Sequence, residues 1–245
     1  MLVTKRSGAK EPVDLNKIVR AVTRCCEGLA DVDAMRVALK TIAGLYDGAT
    51  TRELDELSIR TAASFIAEEP EYSKVAARLL AGYVDKEVHA LAQAVAECLI
   101  ARGQTLVAAE SCTGGWIAKV LTDVPGSSTW FECGVVAYSY EAKEALLGVQ
   151  PQTLERTGAV SHDTVVEMVS GALARFGASV AVAVTGVAGP GGGTTDKPVG
   201  TVWIGWKRRG GYARAELFHF DGDREAVRRQ TVGAALDGVR RILTS

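Results

Sequence analysis

The chain has 245 residues, of which 47% are hydrophobic and 23% charged, as is typical of a globular protein with one large domain or two ordinary ones. Its 28 Lys and Arg residues nearly balance its 29 Asp and Glu residues, which argues against a basic nucleic-acid-binding protein. The five cysteines form no Cys-x-x-Cys pair, the three histidines are far apart, and no apolar run reaches the ~18 residues of a membrane span. We therefore expect a soluble, cytoplasmic protein that binds no nucleic acid, membrane or structural metal.

Residues 1–88 contain 5 of the 26 glycines and have mainly helical patterns. After a short turn in VTKRSG, Asp14 predicts the start of a helix with apolar residues at helical spacing. Thr50 or Thr51 predicts the start of a second helix. A third extends from about Pro70 into HALAQAVAECLIARG with no proline or glycine-rich spacer, so we expect a helical connection between the two parts of the chain.

Residues 89–245 alternate apolar runs with helical patterns. The apolar runs are TLVAAES, WFECGVVAYS, SVAVAVTG, VGTVWIGW and ARAELFHF, and the helical patterns include WIAKVLTDV, EAKEALLG, HDTVVEMVSGALARFG and REAVRRQTVGAALDGVRRIL. This order is typical of an α/β layered sheet, and the unbroken SVAVAVTG predicts a strand that is buried on both faces. Ligands usually bind such sheets where strands end, so three junctions are candidate sites.

The first junction, AAESCTGGW, places Ser111 after a strand and before a Gly-Gly pair that can start a helix. A serine here is either a helix N-cap or a nucleophile whose own amide helps to stabilise an oxyanion. The Gly-x-Ser-x-Gly motif of serine hydrolases is absent, because Ala109 and Thr113 occupy the two glycine positions.

The second junction, VVAYSYEAKEALLG, sets Tyr138 at a strand end and Lys143 in the following helix. A lysine whose pKa is lowered by burial can act as the base for a serine; the alternative is a solvated lysine beside two interfacial tyrosines. Spacing does not choose the tyrosine, because Tyr140 lies three residues before Lys143 and would share its helical face.

The third junction, TGVAGPGGGTTDKPVGTVW, is a glycine-rich loop between two strands. Its bare backbone can approach a phosphate or a sugar closely, or the loop is simply a mobile hairpin connection. GDREAVRRQ adds Arg224, Arg228 and Arg229 at a helix start, where they either hold a phosphate or face solvent.

Several ordered motifs in the second part resemble those of the CinA C-terminal family over about residues 89–243: AESCTGG, GSSxWFxxGxVxYSxxAKxxLLGV, GAVS, TGVAGPGGG, KPVGTVW and FxGDRxxVRRQ. The resemblance implies a three-layer α/β/α domain over residues 89–245. It also implies an enzyme of pyridine nucleotide salvage that hydrolyses nicotinamide mononucleotide to nicotinate mononucleotide and ammonia, with no cofactor for catalysis.

By this resemblance Ser111 is the nucleophile, Lys143 accepts its proton and Tyr138 relays a proton to the leaving ammonia. Tyr138 is preferred to Tyr140 because it holds the family's position five residues before the lysine. Which arginine holds the substrate phosphate stays open. The implied substrate-binding residues are Glu110, Thr113, Gly114, Gly115, Thr185, Gly186, Gly189, Gly191, Gly192, Arg224 and Arg228.

The first part resembles the ATP-cone, a small, mostly helical nucleotide-sensing domain, through LVTKRSG, the helix starting DLNKI, YDGATT and EYSKVAARLL. Two adjacent cations, Lys5 and Arg6, together with Lys17 on the first helix, suit a triphosphate; the alternative is a basic face exposed to solvent. Asp55 departs from the family, which often has a neutral or basic residue there. The resemblance covers residues 1–88 and implies that ATP or dATP, as an allosteric ligand, is surrounded by Val3, Lys5, Arg6, Glu11, Lys17, Thr51 and Lys86.

Two functions follow. The first is an amidohydrolase acting on nicotinamide mononucleotide and regulated by adenine nucleotide through the ATP-cone. The second is a non-catalytic nucleotide-sensing regulatory or interaction protein. The joint presence of Ser111, Tyr138 and Lys143 favours the enzyme. Since both kinds of domain tend to self-associate, we also expect a homo-oligomer.

Overall fold

A computed structural model describes residues 1–6 and 8–245 of the chain. The chain divides into two compact units, Met1–Lys86 and Glu87–Ser245. The first unit is mostly helical, with one short antiparallel hairpin in which Val3 lies opposite Glu11. Its elements are β1 (Leu2–Thr4), β2 (Lys10–Pro12), α1 (Leu15–Cys26), α2 (Ala34–Ala43), α3 (Thr51–Ala63) and the beginning of α4 (Tyr72–Arg102).

Polar side chains fix where the helices of the first unit begin. The Asp14 carboxylate accepts the backbone N–H groups of the first turn of α1, which confirms the predicted helix start. Of the two threonines, Thr50 caps α3 in a reciprocal capping box with Glu53. Asp33 caps α2, a helix that our sequence analysis did not predict. The apolar faces meet in a core that contains Val22, Val37, Ala62, Phe65, Tyr72 and Val75.

The helix predicted from about Pro70 is confirmed. It is α4, which has 31 residues from Tyr72 to Arg102, and the division between the two units falls within its range. No helix in the described part of the chain is long and apolar enough to cross a membrane.

The second unit is built on a five-stranded sheet with strand order β4-β3-β5-β6-β7. β3 runs parallel to β4 and β5, whereas β6 is antiparallel to β5 and β7. The elements after α4 are β3 (Leu106–Glu110), α5 (Trp116–Thr122), a 3-10 turn (Ser127–Thr129), β4 (Phe131–Val136), α6 (Tyr140–Leu147), α7 (Pro151–Thr157), α8 (His162–Phe176), β5 (Val180–Gly186), β6 (Thr201–Arg208), β7 (Arg214–His219) and α9 (Arg224–Thr244).

Helices cover both faces of this sheet. Adjacent residues of β6 show this, because Gly205 packs against Val165 of α8 while the Trp206 indole N–H donates to the Ala235 carbonyl of α9 at 2.9 Å. The three-layer α/β/α architecture is therefore confirmed. β5 is the central strand and is buried from Val180 to Thr185, as its uninterrupted apolar sequence predicts.

Candidate functional site

The three predicted junctions meet at one edge of the sheet. β3, β4 and β5 are parallel neighbours, so their carboxyl ends lie side by side. Ser111 directly follows β3, and Tyr138 lies two residues after β4. The glycine-rich loop follows β5 and connects it to β6.

Lys143 and Ser111 are in direct contact at this edge. The Lys143 Nζ lies 3.1 Å from Ser111 Oγ, and it is also 2.9 Å and 3.0 Å from the carbonyl oxygens of Ala137 and Tyr138. Lys143 is completely buried and Ser111 is 8% exposed. The solvated-lysine interpretation is therefore wrong.

The surroundings of Lys143 favour its neutral form. Burial lowers its pKa from an ordinary 10.5 to about 8, because an ammonium removed from water loses its hydration. A neutral amine has two N–H donors and one lone pair. The two carbonyls match the donors and the Ser111 hydroxyl matches the lone pair, which is the arrangement that a general base requires.

Ser111 is not the cap of the following helix. The N-cap of α5 is Gly115, in the left-handed conformation with φ 93°, a residue that has no side chain of its own to cap the helix. The Ser111 N–H donates to the Val184 carbonyl of β5 at 3.1 Å, so our expectation that this amide stabilises an oxyanion is wrong. In the described part of the chain the Thr113 N–H has no acceptor, and the buried Thr113 Oγ1 has no hydrogen-bond partner.

Glu110 holds the backbone of the turn that carries Ser111. Its fully buried carboxylate accepts the N–H groups of Gly115, Ile117 and Ala118 at 3.0, 3.0 and 2.8 Å. This arrangement anchors the start of α5 and engages both carboxylate oxygens. The substrate-binding role that the resemblance implied for Glu110 is therefore corrected to a structural one.

The two tyrosines are placed differently from each other. The Tyr138 side chain is 59% exposed, and its hydroxyl accepts a hydrogen bond from Arg224 Nη2 at 3.2 Å. The Tyr140 hydroxyl accepts the Ala159 N–H at 3.3 Å. Tyr138 meets Lys143 through its backbone carbonyl; among the described residues its hydroxyl has no hydrogen bond to Lys143 or Ser111.

The three arginines predicted near the start of α9 have distinct partners. Arg224 Nη1 donates to the Gly189 carbonyl at 2.8 Å, which connects α9 to the glycine-rich loop. Arg228 donates from Nε and Nη2 to the carbonyls of Cys112 and Thr113 at 3.1 and 2.7 Å. Arg229 pairs with Glu225 within the helix. Trp116, Asp223, Arg224, Glu225 and Arg228 line an open depression of about 510 Å³.

The glycines and Thr185 of the third junction divide into packed and open positions. The Thr185 hydroxyl donates to the Ala159 carbonyl at 2.7 Å, and an added Cβ at Gly186 would lie 2.6 Å from Val202. Gly189 is similarly closed by Val199. Only the exposed Gly191 and Gly192, among the predicted loop glycines, leave open space for a ligand.

Cys112 adjoins Ser111 but differs from it chemically. The thiol is buried, and loss of hydration raises its pKa from 9.0 to about 12. It therefore stays protonated near neutral pH and is a poor nucleophile there. No group of three His, Cys, Asp or Glu side chains in the described residues is arranged to hold a metal ion.

The first unit contains a cavity of about 430 Å³, a size within the usual range for small-molecule sites. Its lining includes five of the seven residues implied by the ATP-cone resemblance: Val3, Glu11, Lys17, Thr51 and Lys86. The other two implied residues lie beside this lining: Lys5 pairs with Glu11 at 2.7 Å, and Arg6 pairs with Asp55 at 3.0 Å.

Two features of this cavity were missed from the sequence. Arg24 and Arg78 also line it, and the spacing of Arg24 from Lys17 on α1 is the signal that could have identified the first of them. Asp55, noted as a departure from the family, pairs with Lys86 at 2.7 Å as well as with Arg6. Two cations implied as nucleotide ligands are thus already paired with one carboxylate.

Comparisons with known proteins agree with both resemblances. The model of the CinA C-terminal domain matches residues 88–243, and that of the ATP cone domain matches residues 1–87. A nicotinamide-nucleotide amidohydrolase PncC of Escherichia coli is 51% identical over 152 residues, which cover 62% of this chain and 92% of that protein. The PncC of Pseudomonas putida is 57% identical over 136 residues, covering 56% of this chain and 84% of that protein.

A CinA-like protein of Akkermansia muciniphila is 40% identical over 249 residues, covering 93% of this chain and 60% of that protein. Among solved structures, a CinA superfamily protein of Klebsiella pneumoniae has a TM-score of 0.62 and 42% identity, covering 64% of this chain and 98% of that one. The prediction of an enzyme of the amidohydrolase class agrees with these curated relatives. The chain belongs to the CinA C-terminal domain family, and its residues 1–87 form an ATP cone domain.

Proposed function

We propose that the protein hydrolyses nicotinamide mononucleotide to nicotinate mononucleotide and ammonia. The observation that carries this proposal is the buried contact of 3.1 Å between Lys143 Nζ and Ser111 Oγ at the end of parallel strands. The PncC relatives, at 51% and 57% identity, support the choice of substrate.

The reaction proceeds through an acyl-enzyme. Neutral Lys143 takes the hydroxyl proton of Ser111 as Oγ bonds to the amide carbon, which the positively charged pyridinium ring makes more electrophilic. The C–N bond then breaks, and the ammonia leaves with the proton that Lys143 took from Ser111. A relay of this proton by the Tyr138 hydroxyl, as the resemblance implies, requires that hydroxyl to exchange its Arg224 partner for a hydrogen bond towards Lys143 when substrate binds. A water molecule, deprotonated by Lys143, then attacks the ester carbon. The bond from that carbon to Ser111 Oγ breaks as Lys143 returns the proton to Oγ, which releases nicotinate mononucleotide and regenerates the serine hydroxyl and the neutral amine.

The partners of the arginines favour Arg224 as the ligand of the substrate phosphate. Both arginines line the open depression, but Arg228 is half-buried and donates to two backbone carbonyls of the turn after Ser111. Arg224 is exposed beside the glycine-rich loop, and one of its two hydrogen bonds is to the exposed Tyr138 hydroxyl, a bond that a phosphate can replace. A guanidinium there can bind a phosphate while Gly191 and Gly192 leave room for the ribose.

Chromatographic assay of the purified protein with nicotinamide mononucleotide tests the proposal. We expect Ser111→Ala to abolish ammonia release without loss of fold, because it removes the nucleophile and very little packed volume. Ser128→Ala, at an exposed serine of the same unit, is the matched control and should keep full turnover. Nucleotide binding without any ammonia release by the wild type would instead support the non-catalytic regulatory protein.

We also propose that ATP or dATP binds the cavity of the first unit and regulates the hydrolysis. The cavity is lined by four cationic side chains and three acidic ones, and this excess of positive charge supports a polyphosphate ligand; the cations are Lys17, Arg24, Arg78 and Lys86, and the acids are Glu11, Asp14 and Asp55. An allosteric coupling of ~1–3 kcal/mol would change apparent substrate affinity by ~5–150-fold. The homo-oligomer stays a prediction, which analytical ultracentrifugation with and without ATP measures.

The test of regulation is to measure deamidation over ATP and dATP titrations in three proteins. Wild type and Lys10→Ala, an exposed lysine that does not line the cavity, should respond alike. Lys17→Ala should respond only at higher nucleotide concentrations. Kinetics that are independent of nucleotide in the wild type would refute regulation while leaving the amidohydrolase proposal intact.

A further inference from the structure

Arg228 reaches from α9 to the turn that follows Ser111. Its Nε and Nη2 donate to the carbonyls of Cys112 and Thr113, two consecutive peptide groups, at 3.1 and 2.7 Å. Its guanidinium lies 5.3 Å from the ring centre of Trp116, which is the first residue of α5. A planar guanidinium is suited to such a two-pronged contact, which a lysine ammonium cannot reproduce.

These contacts fix the direction of a backbone donor. In a trans peptide the C=O and the following N–H point in opposite directions, so holding the Cys112 carbonyl directs the Thr113 N–H away from Arg228. That N–H has no acceptor among the described residues. Of the flanking N–H groups, that of Ser111 donates to Val184 and that of Gly114 donates to the Ser111 carbonyl, whereas the Cys112 N–H, like that of Thr113, has no backbone acceptor among the described residues.

From this geometry we infer that Arg228 is a positioning residue for catalysis: it orients the Thr113 N–H to stabilise the oxyanion that forms when Ser111 attacks a carbonyl. Its positive charge on the Cys112 carbonyl also polarises the same peptide group and makes the N–H a better donor. This inference rests on the proposed nucleophile and replaces the substrate-binding role implied for Arg228. Glu110 holds the other end of the turn, so the donor is fixed before substrate arrives.

Two readouts separate this role from phosphate binding. With nicotinamide mononucleotide, we expect Arg228→Lys to lower kcat by about 10- to 100-fold with little change in KM, since loss of a whole oxyanion donor typically costs ~10²–10³ in kcat. In a Ser111→Ala background, the same substitution should leave the Kd for nicotinamide mononucleotide unchanged. A raised KM and a weakened Kd with unchanged kcat would overturn the inference.

A phosphate-free substrate makes the test independent of the natural reaction. p-Nitrophenyl acetate should acylate Ser111, with Lys143 taking the hydroxyl proton and nitrophenolate leaving, as followed by intact mass and absorbance at pH 9. We expect Arg228→Lys to slow acylation by about 10- to 100-fold, whereas Arg240→Lys, an ion-paired arginine elsewhere on α9, should match the wild type.

Added guanidinium should restore acylation in Arg228→Ala, which a merely structural defect would not allow. Equal acylation rates in wild type and Arg228→Lys would overturn the inference. Acylation that depends on Ser111 and Arg228, in a protein that releases no ammonia from nicotinamide mononucleotide, would support the inference and refute only the proposed substrate. Absence of any Ser111 acylation in the wild type would overturn the nucleophile and this inference together.

Discussion

The buried Lys143 predicts how the reaction depends on pH. A general base must be neutral to take the Ser111 proton, and burial lowers the pKa of this lysine to about 8. At that pKa about 10% of the amine is neutral at pH 7 and about 90% at pH 9, whereas a lysine of ordinary pKa would be only ~0.03% neutral at pH 7. The fold therefore increases the reactive fraction at neutral pH about 300-fold.

The expected result is a rise of about tenfold in kcat/KM between pH 7 and 9, with a midpoint near the pKa of about 8. Initial rates of ammonia release at low substrate concentration measure this quantity. The substrate phosphate, with a second pKa of about 6, is already a dianion over this range, so the profile reports the enzyme.

Two variants make the measurement specific. Lys143→Arg should lose ~10²–10⁴ of the rate at every pH, because a guanidinium is never neutral in this range. Lys119→Arg, at an exposed lysine paired with Asp123, should keep the wild-type profile. A flat profile between pH 7 and 9, or a midpoint near the ordinary lysine value, would refute the assignment of Lys143 as the base.

Three further predictions follow from the same contacts. Lys143 has a pKa of about 8 in the folded protein and an ordinary pKa of 10.5 in the unfolded chain, so the unfolded chain binds more protons between these two pH values. In urea titrations, the unfolding free energy of wild type minus that of Lys143→Met should therefore rise by about 3 kcal/mol from pH 7 to 10.5. No rise would mean that the lysine is hydrated. Tyr138→Phe should reduce kcat by up to ~10²–10⁴ if its hydroxyl relays the proton, and Tyr140→Phe far less; equal losses would contradict that choice of tyrosine. Asp55→Asn should tighten ATP binding about 3- to 10-fold by calorimetry, because a partly exposed carboxylate that competes for cations is worth ~1 kcal/mol; weaker binding would indicate that Asp55 itself contacts the nucleotide.

Several features that depend on nearby residues were predicted from the sequence, although α2, with its local cap at Asp33, was missed. The start of α1 at Asp14 and the unbroken α4 follow from local capping and apolar spacing. α7 was not predicted, although Pro151 at its first position and Gly158 after its last are local signals of a short helix. Its start is also held by a distant residue, because Glu167 of α8 accepts the Gln150 N–H at 2.8 Å. No pattern within seven residues reports such a contact.

In the candidate site, too, local patterns were predictable and contacts between distant residues were not. Motifs placed Ser111 at the end of one predicted strand and Lys143 in the helix after another, but their contact depends on strand pairing and burial that the sequence does not state. The engagement of the Ser111 amide by Val184 is likewise a product of the β3–β5 pairing. The capping role of Glu110 was missed because a polar residue at a strand end is equally compatible with a ligand contact and with a turn anchor.

The burial of Cys112 has a consequence for how the protein responds to oxidants. Burial acts in opposite directions on the pKa values of the Cys112 thiol and the Lys143 amine. It raises the pKa of the thiol to about 12 and lowers that of the amine to about 8, and both shifts favour the uncharged form. Peroxides and electrophiles react with thiolates, and this cysteine presents none near neutral pH. An acyl transfer that uses an alcohol and an amine beside a protonated thiol should therefore persist under oxidative stress that inactivates hydrolases with a cysteine nucleophile.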